Sequence, residues 1–150
     1  MKTVKEVMRV NVPSVSPDDT LQKASQVMKE HLLAGLPVIE DGRIVGILTD
    51  GDMLNYFYLN VSSFSYEEKM DGGQGPEGHS FKKRVDEFKA MRVREVMTPH
   101  PRTINENAGI DEAASVIKRF KVKRLIVVND KGEHVGLVER LNVVNSILMS

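Results

Sequence analysis

The chain has 150 residues, a length for one compact domain or for two small units that share a core. Its 21 Lys+Arg balance 21 Asp+Glu, so no overall field draws it to nucleic acid or to an anionic membrane, and any cationic contact has to be local. There is no cysteine, which excludes disulfides, thiolate catalysis and cysteine-based zinc sites.

Hydrophobic residues make up 41 % and charged residues 28 %, the balance of a globular protein. The opening Met1-Lys2-Thr3-Val4-Lys5-Glu6 has no apolar stretch behind its charges, and no apolar run nears the ~20 residues that span a bilayer. The expectation is a cytoplasmic protein that does not enter membranes. With no Trp, 3 Tyr and 5 Phe, stacking platforms for single-stranded nucleic acid are scarce.

In chain order, an extended piece at Pro13 to Val15 leads to an amphipathic helix with apolar residues at 21, 24, 27, 28 and 32. Thr20 fits its N-cap, and Pro17 stops it from extending backwards. Two β-rich runs follow, Leu36 to Ile39 and Ile44 to Thr49, joined by Glu40-Asp41-Gly42-Arg43, where Asp-Gly signals a hairpin. A second helix opens near Asp52 with Met53, Leu54 and Tyr56. Residues 59–91 read as a linker: Asp71 to Gly78 is a flexible loop by composition, and Phe81, Val85 and Phe88 are spaced for a short docking helix. Tyr56, Phe57, Tyr58, Phe64 and Tyr66 would anchor this insertion to the core or form a partner surface.

The same order then returns. Val4-Lys5-Glu6-Val7-Met8 reappears as Val93-Arg94-Glu95-Val96-Met97, and the register holds through Leu36-Pro37-Val38-Ile39 and Leu125-Ile126-Val127-Val128 at an offset of 89. One residue enters the second hairpin turn, after which Ile44-Val45-Gly46 meets His134-Val135-Gly136. The extended piece Arg102 to Ile104, the strands Leu125 to Val128 and Val135 to Val138, and a helix through Val143, Val144 and Ile147 complete the second copy. The chain divides into repeat 1 (1–58), linker (59–91) and repeat 2 (92–150). One such unit is too small to bury much surface alone, so the two sheets should pack together with near-twofold symmetry.

The chemistry concentrates in Gly46-Ile47-Leu48-Thr49-Asp50-Gly51-Asp52, which puts a hydroxyl at a strand end and a carboxylate three residues later at a helix start. That carboxylate can accept from a ribose diol, and the free helix N–H groups can meet phosphate. Thr and Asp at such places are also ordinary N-caps. The Val-Met openings, Leu36-Pro37-Val38-Ile39 and the Gly-h-h-Thr-x-x-Asp string (h, apolar) resemble the CBS domain, and the chain resembles a tandem CBS pair, or Bateman module. The resemblance implies an α+β fold of two β-α-β-β-α repeats packed through their sheets with pseudo-twofold symmetry. It further implies an adenosine ligand in a cleft between repeats, a regulatory and non-enzymatic role, and a homodimer.

Carried over by position, the resemblance builds one site from both copies. Thr49 and Asp52 come from repeat 1, and Arg102, Thr103, Lys123, Arg124 and Leu125 from repeat 2. Arg140 is a further cation, and Ile47, Leu48 and Leu125 would flank the adenine. The mirror site has Glu139 and Asn142 for Thr49 and Asp52, and Ala34-Gly35 for Lys123-Arg124, so it is expected to be empty or to hold an uncharged adenosyl group. The cations favour AMP, ADP or ATP over S-adenosylmethionine or NAD, with no cofactor required and the regulated protein unidentified. For the basic run Lys118, Arg119, Lys121, Lys123 and Arg124, nucleotide phosphate ranks above a solvated surface, and both rank above RNA or DNA.

Gly73-x-Gly75-x-x-Gly78 has no preceding strand and is broken by Pro76, so it is a loop and no dinucleotide fingerprint. His31, His79, His100 and His134 lack metal spacing, and no nucleophile with a positioned base is present. The alternative to a nucleotide sensor is a dimerisation and interaction scaffold that needs no ligand.

Overall fold

A computed structural model of the chain describes residues 2–61 and 76–150. In repeat 1, the short helix α1 (Val4–Val7) precedes α2 (Leu21–His31), the hairpin β1 (Gly35–Glu40) and β2 (Arg43–Thr49), and α3 (Asp50–Asn60). After α4 (Pro76–Ala90) and a 3-10 turn (Val93–Glu95) come β3 (Thr98–Pro99), β4 (Thr103–Asn105), α5 (Ile110–Phe120), β5 (Arg124–Val128), β6 (His134–Glu139) and α6 (Arg140–Leu148). The elements form two three-stranded sheets, ordered β1-β2-β3 and β4-β5-β6.

Local chemistry explains most element ends. Thr20 caps α2 by accepting from the Lys23 N–H at 3.1 Å, and the helix buries Leu21, Ala24 and Met28. Asp41 and Gly42 both take positive φ, 52° and 78°, as a two-residue type I′ hairpin requires. Helices α2 and α5 each end on a left-handed residue, Leu32 and Lys121 (both φ 54°), which turns the chain sharply into the next strand. Helix α4 starts at Pro76, so Pro76 to Gly78 belong to a helix and not to the loop expected there; Asp71 to Gly75 lie outside the described residues. Phe88 of α4 stacks on Tyr56 at 5.9 Å between centroids and meets Phe57 at 5.7 Å, tying the helix to α3. Phe64 and Tyr66 lie outside the described residues.

The extended pieces differ between the copies. Thr103–Asn105 is a parallel strand beside β5, whereas in repeat 1 only Val15 bridges Val38.

The opening segments are exchanged. Val93 and Arg94 donate to the carbonyls of Asp19 and Pro17, and β3 adds to the first sheet beside β2. Val4 and Lys5 donate to the equivalent carbonyls of Ala108 and Glu106, and Arg9 bridges Leu137 in the second sheet. Two glycines make room for this exchange. A Cβ on Gly46 would sit 2.6 Å from the Met97 Sδ, and one on Gly136 would sit 2.5 Å from the Met8 Sδ and 2.7 Å from the Arg9 carbonyl oxygen. The repeated Val-Met and Gly signatures are thus the two sides of one contact.

The first core joins Leu21, Leu36, Val38 and Leu48 to Val93, Ile126 and Leu137 of the second repeat. The second gathers Ile104, Ile110, Leu125, Val127 and Val138 around the buried Val4. Each repeat therefore completes its partner's core, and the cleft between them is bounded by rigid strand ends.

Candidate functional site

Thr49 is the last residue of β2 and the N-cap of α3. Its hydroxyl accepts from the Asp52 N–H at 3.0 Å, while Asp52 Oδ2 accepts from the Thr49 N–H at 3.0 Å. This capping box fixes both side chains before any ligand arrives. The other carboxylate oxygen, Oδ1, accepts from the hydroxyl of Thr98 at 3.0 Å. Thr98 was not singled out from the sequence; its signal is its place directly after the Val96-Met97 signature, on the strand that repeat 2 lends to the first sheet.

These residues open onto a cavity of about 440 Å³ lined by Ile47, Thr49, Asp50, Asp52 and Thr98 on one side and Lys121, Val122, Lys123 and Arg124 on the other. Asp52 and Arg124, from different repeats, face the same space. A neighbouring cavity of about 290 Å³ shares Ile47, Thr98, Val122 and Arg124 and adds Arg102. The guanidinium carbon of Arg102 lies 3.6 Å from the centre of the Phe120 ring, a cation–π contact that fixes its position at the rim. Lys121 reaches the cleft because its left-handed backbone ends α5 there, a conformation its sequence does not announce.

Arg124 is the cation of this cleft with a buried donor left unpaired. It is 91 % buried, and its Nε is buried without a hydrogen-bond partner. The nearest carboxylate oxygen, Glu139 Oε2, stands 3.9 Å from that Nε, too far for a hydrogen bond. A buried guanidinium held so loosely is a strong attractor for an anion.

The remaining expected site residues fall elsewhere. Leu48 and Leu125 are fully buried, one in each core, so their side chains cannot flank a base; strand alternation turns Leu48 away from the cleft where Ile47 faces it. Ile47 and Val122 form the apolar walls instead. Thr103 is exposed on β4 and Arg140 at the start of α6, and neither lines the two cavities. A larger cavity of about 680 Å³, bounded by Leu21, Met53, Phe57 and Phe88, adjoins the cleft through Asp50, Leu54 and Lys123, but few charged groups converge on it.

In the mirror position Asn142 accepts from the Glu139 N–H at 2.9 Å, the backbone half of the same cap. Arg9, the counterpart of Thr98, donates to the carbonyls of Leu32 (3.0 Å) and His31 (2.9 Å) and lies 3.7 Å from Glu139 Oε1. An arginine of the chain's own thus stands beside the strand end where the first cleft presents Thr98.

Among the described residues no group of His, Asp and Glu has a metal-binding arrangement, and no helix is long and apolar enough to cross a membrane.

Comparison with known proteins identifies the repeated unit. The CBS domain model matches twice, over residues 4–59 and 93–148. The chain is 30 % identical over 142 residues to the CBS domain-containing protein CBSX1, chloroplastic, of Arabidopsis thaliana, an alignment that covers 89 % of this chain and 58 % of the relative. It is 30 % identical over 138 residues to the CBS domain-containing protein YhcV of Bacillus subtilis, covering 92 % and 80 %. The chain thus spans under two thirds of CBSX1 but most of YhcV. Among solved structures, CBSX2 in complex with AMP superposes with a TM-score of 0.71 at 25 % identity, over 99 % of this chain and 98 % of that one. The chain belongs to the CBS domain family, as a tandem pair of its repeats.

Proposed function

We propose that this protein is a regulatory module that holds one adenosine phosphate, of the AMP, ADP or ATP type, in the cleft between its repeats. The observation that carries the reading is Arg124, a buried cation short of partners that shares a cavity with Asp52. In this reading Asp52 accepts from the ribose, whose hydroxyl replaces the neutral Thr98 donor, and Thr49 meets ribose or phosphate. Lys121, Lys123 and Arg124 neutralise phosphate, Arg102 extends the cationic rim, and Ile47 with Val122 encloses the base. The cluster of cations favours a terminal phosphate over S-adenosylmethionine, and over NAD. The complex of CBSX2 with AMP supports the ligand class.

The role is regulatory and not enzymatic: the cleft offers cations and a capped carboxylate, with no nucleophile beside a base, and CBSX1 and YhcV are named for their CBS domains, while the inosine-5'-monophosphate dehydrogenase of Korarchaeum cryptofilum matches over only 22 % of its own length. A ligand bridging both repeats would change their relative setting, which a partner protein can read. A homodimer in a cytoplasmic setting completes the proposal. Its support is two symmetry-related apolar faces, Leu54, Tyr58 and Leu59 on α3 and Val144 and Leu148 on α6 with Met149 just after it, all exposed.

A ligand-independent scaffold is the second reading, favoured by the way Thr49 and Asp52 satisfy each other in the capping box. A thermal-shift screen separates the two. A nucleotide at 100 times its dissociation constant stabilises by about 2.7 kcal/mol, whereas a scaffold shows no shift with any nucleotide.

A further inference from the structure

Arg9, Glu139 and Arg124 lie in sequence along the boundary between the two clefts. Arg9 is anchored by the carbonyls ending α2 and faces one oxygen of Glu139 at 3.7 Å. The other oxygen faces Arg124 at 3.9 Å. Neither contact is close enough for a hydrogen bond, so one carboxylate is divided between two guanidiniums. The opposite arrangement is blocked on the first side: at Gly35, the counterpart of Arg124, a Cβ would lie 2.6 Å from the Arg124 Cδ, so only one long side chain fits between the repeats.

We infer that Arg9, Glu139 and Arg124 form a charge relay, through which the second cleft sets how strongly the first one holds phosphate. The inference rests on the nucleotide reading of the first cleft. Glu139 and the ligand's phosphate compete for the same buried cation. Arg9 draws Glu139 the other way and keeps Arg124 available. Glu139 and Arg9 are therefore affinity-setting residues for a ligand that neither has to touch, and the second cleft, with Arg9 beside its strand end, serves as a regulatory element.

The test is calorimetric titration of the full chain with AMP and, in parallel, with adenosine. Glu139→Gln removes the competitor: AMP affinity rises about tenfold, the size of a charge-assisted contact, adenosine affinity stays level, and the ligand-free melting temperature falls. Arg9→Met frees Glu139 to close on Arg124, and AMP affinity falls by a similar factor. A purely structural Glu139 would lose stability and affinity together. AMP affinity unchanged or lowered in Glu139→Gln, or adenosine shifted as much as AMP, overturns the relay. If no protein in the series binds AMP, inorganic phosphate is used and melting temperature is read. Stabilisation greatest in Glu139→Gln and least in Arg9→Met then keeps the relay and removes the nucleotide reading; any other order overturns the relay.

Discussion

Gly35 and Arg124 occupy equivalent positions in the two repeats and press against each other, a Cβ on Gly35 reaching to 2.6 Å from the Arg124 Cδ. Each position is the first residue of its strand, β1 or β5. Two arginines cannot occupy both places, so the pair makes one cleft cationic and denies the same cation to the other. Replacing Gly35 by Ala forces Arg124 aside in a packed interior, at an expected cost of ~1–3 kcal/mol in urea unfolding. Arg124→Ala should recover most of that loss in the double variant. Full additivity would show that the two residues do not touch.

Asp52 caps α3 and, in the proposed function, accepts from the ligand, and one substitution separates the two roles. Asn142 already shows that an amide oxygen caps this position in repeat 2. Asp52→Asn should therefore keep stability within about 0.5 kcal/mol, as for a substitution that spares the structural contacts. Loss of the negative acceptor should still weaken nucleotide binding by ~1.5–3 kcal/mol. Equal affinity for the Asn variant, measured by calorimetry, would remove Asp52 from the ligand site.

The exchanged opening segments depend on two glycines. Gly136→Ala meets the Arg9 backbone carbonyl as well as the Met8 Sδ, whereas Gly46→Ala is tightest against the Met97 side chain and stands 3.0 Å from the Thr98 carbonyl oxygen. Overpacking of this kind costs ~1–3 kcal/mol, and Gly136→Ala is expected at the higher end because a backbone atom yields less. Chemical denaturation of the two variants checks the order.

How much of this was legible in advance follows the range of the interactions. The Thr20 cap and the Asp41-Gly42 turn depend on neighbours a few residues away, and the sequence displays them. The repeat displays itself. Leu48 and Leu125 sit in apolar runs that fill both faces of a strand, where the two-residue period is hidden, so the sequence points their side chains to the cleft whereas they lie in the cores. Thr98 and Arg9 reach their sites only because the opening segments cross to the other repeat's sheet, a long-range choice that local patterns leave open. Lys121 enters through a left-handed helix end that its residue type does not signal.

His134 gives a pH signature. Burial lowers its pKa, against a smaller opposing effect from a hydrogen bond with the Gly136 backbone, and its Nε2 is buried without a hydrogen-bond partner. The unfolded chain then binds the proton more readily than the folded one. Stability present above the ordinary value of 6.5 is lost as pH falls through it. Unfolding free energy measured from pH 7.5 down to about 5.5 should decline in the parent protein and decline less in His134→Gln.

In the proposed complex an acidic group from the front repeat and cations from the back repeat grip one small molecule together. Calorimetric titration of the purified, nucleotide-free chain with AMP, ADP and ATP tests it most directly. One molecule of at least one of the three is expected to bind per chain, with affinity lost both in Asp52→Ala and in Arg124→Ala. Absence of binding to all three, or binding that survives both substitutions unchanged, would contradict it.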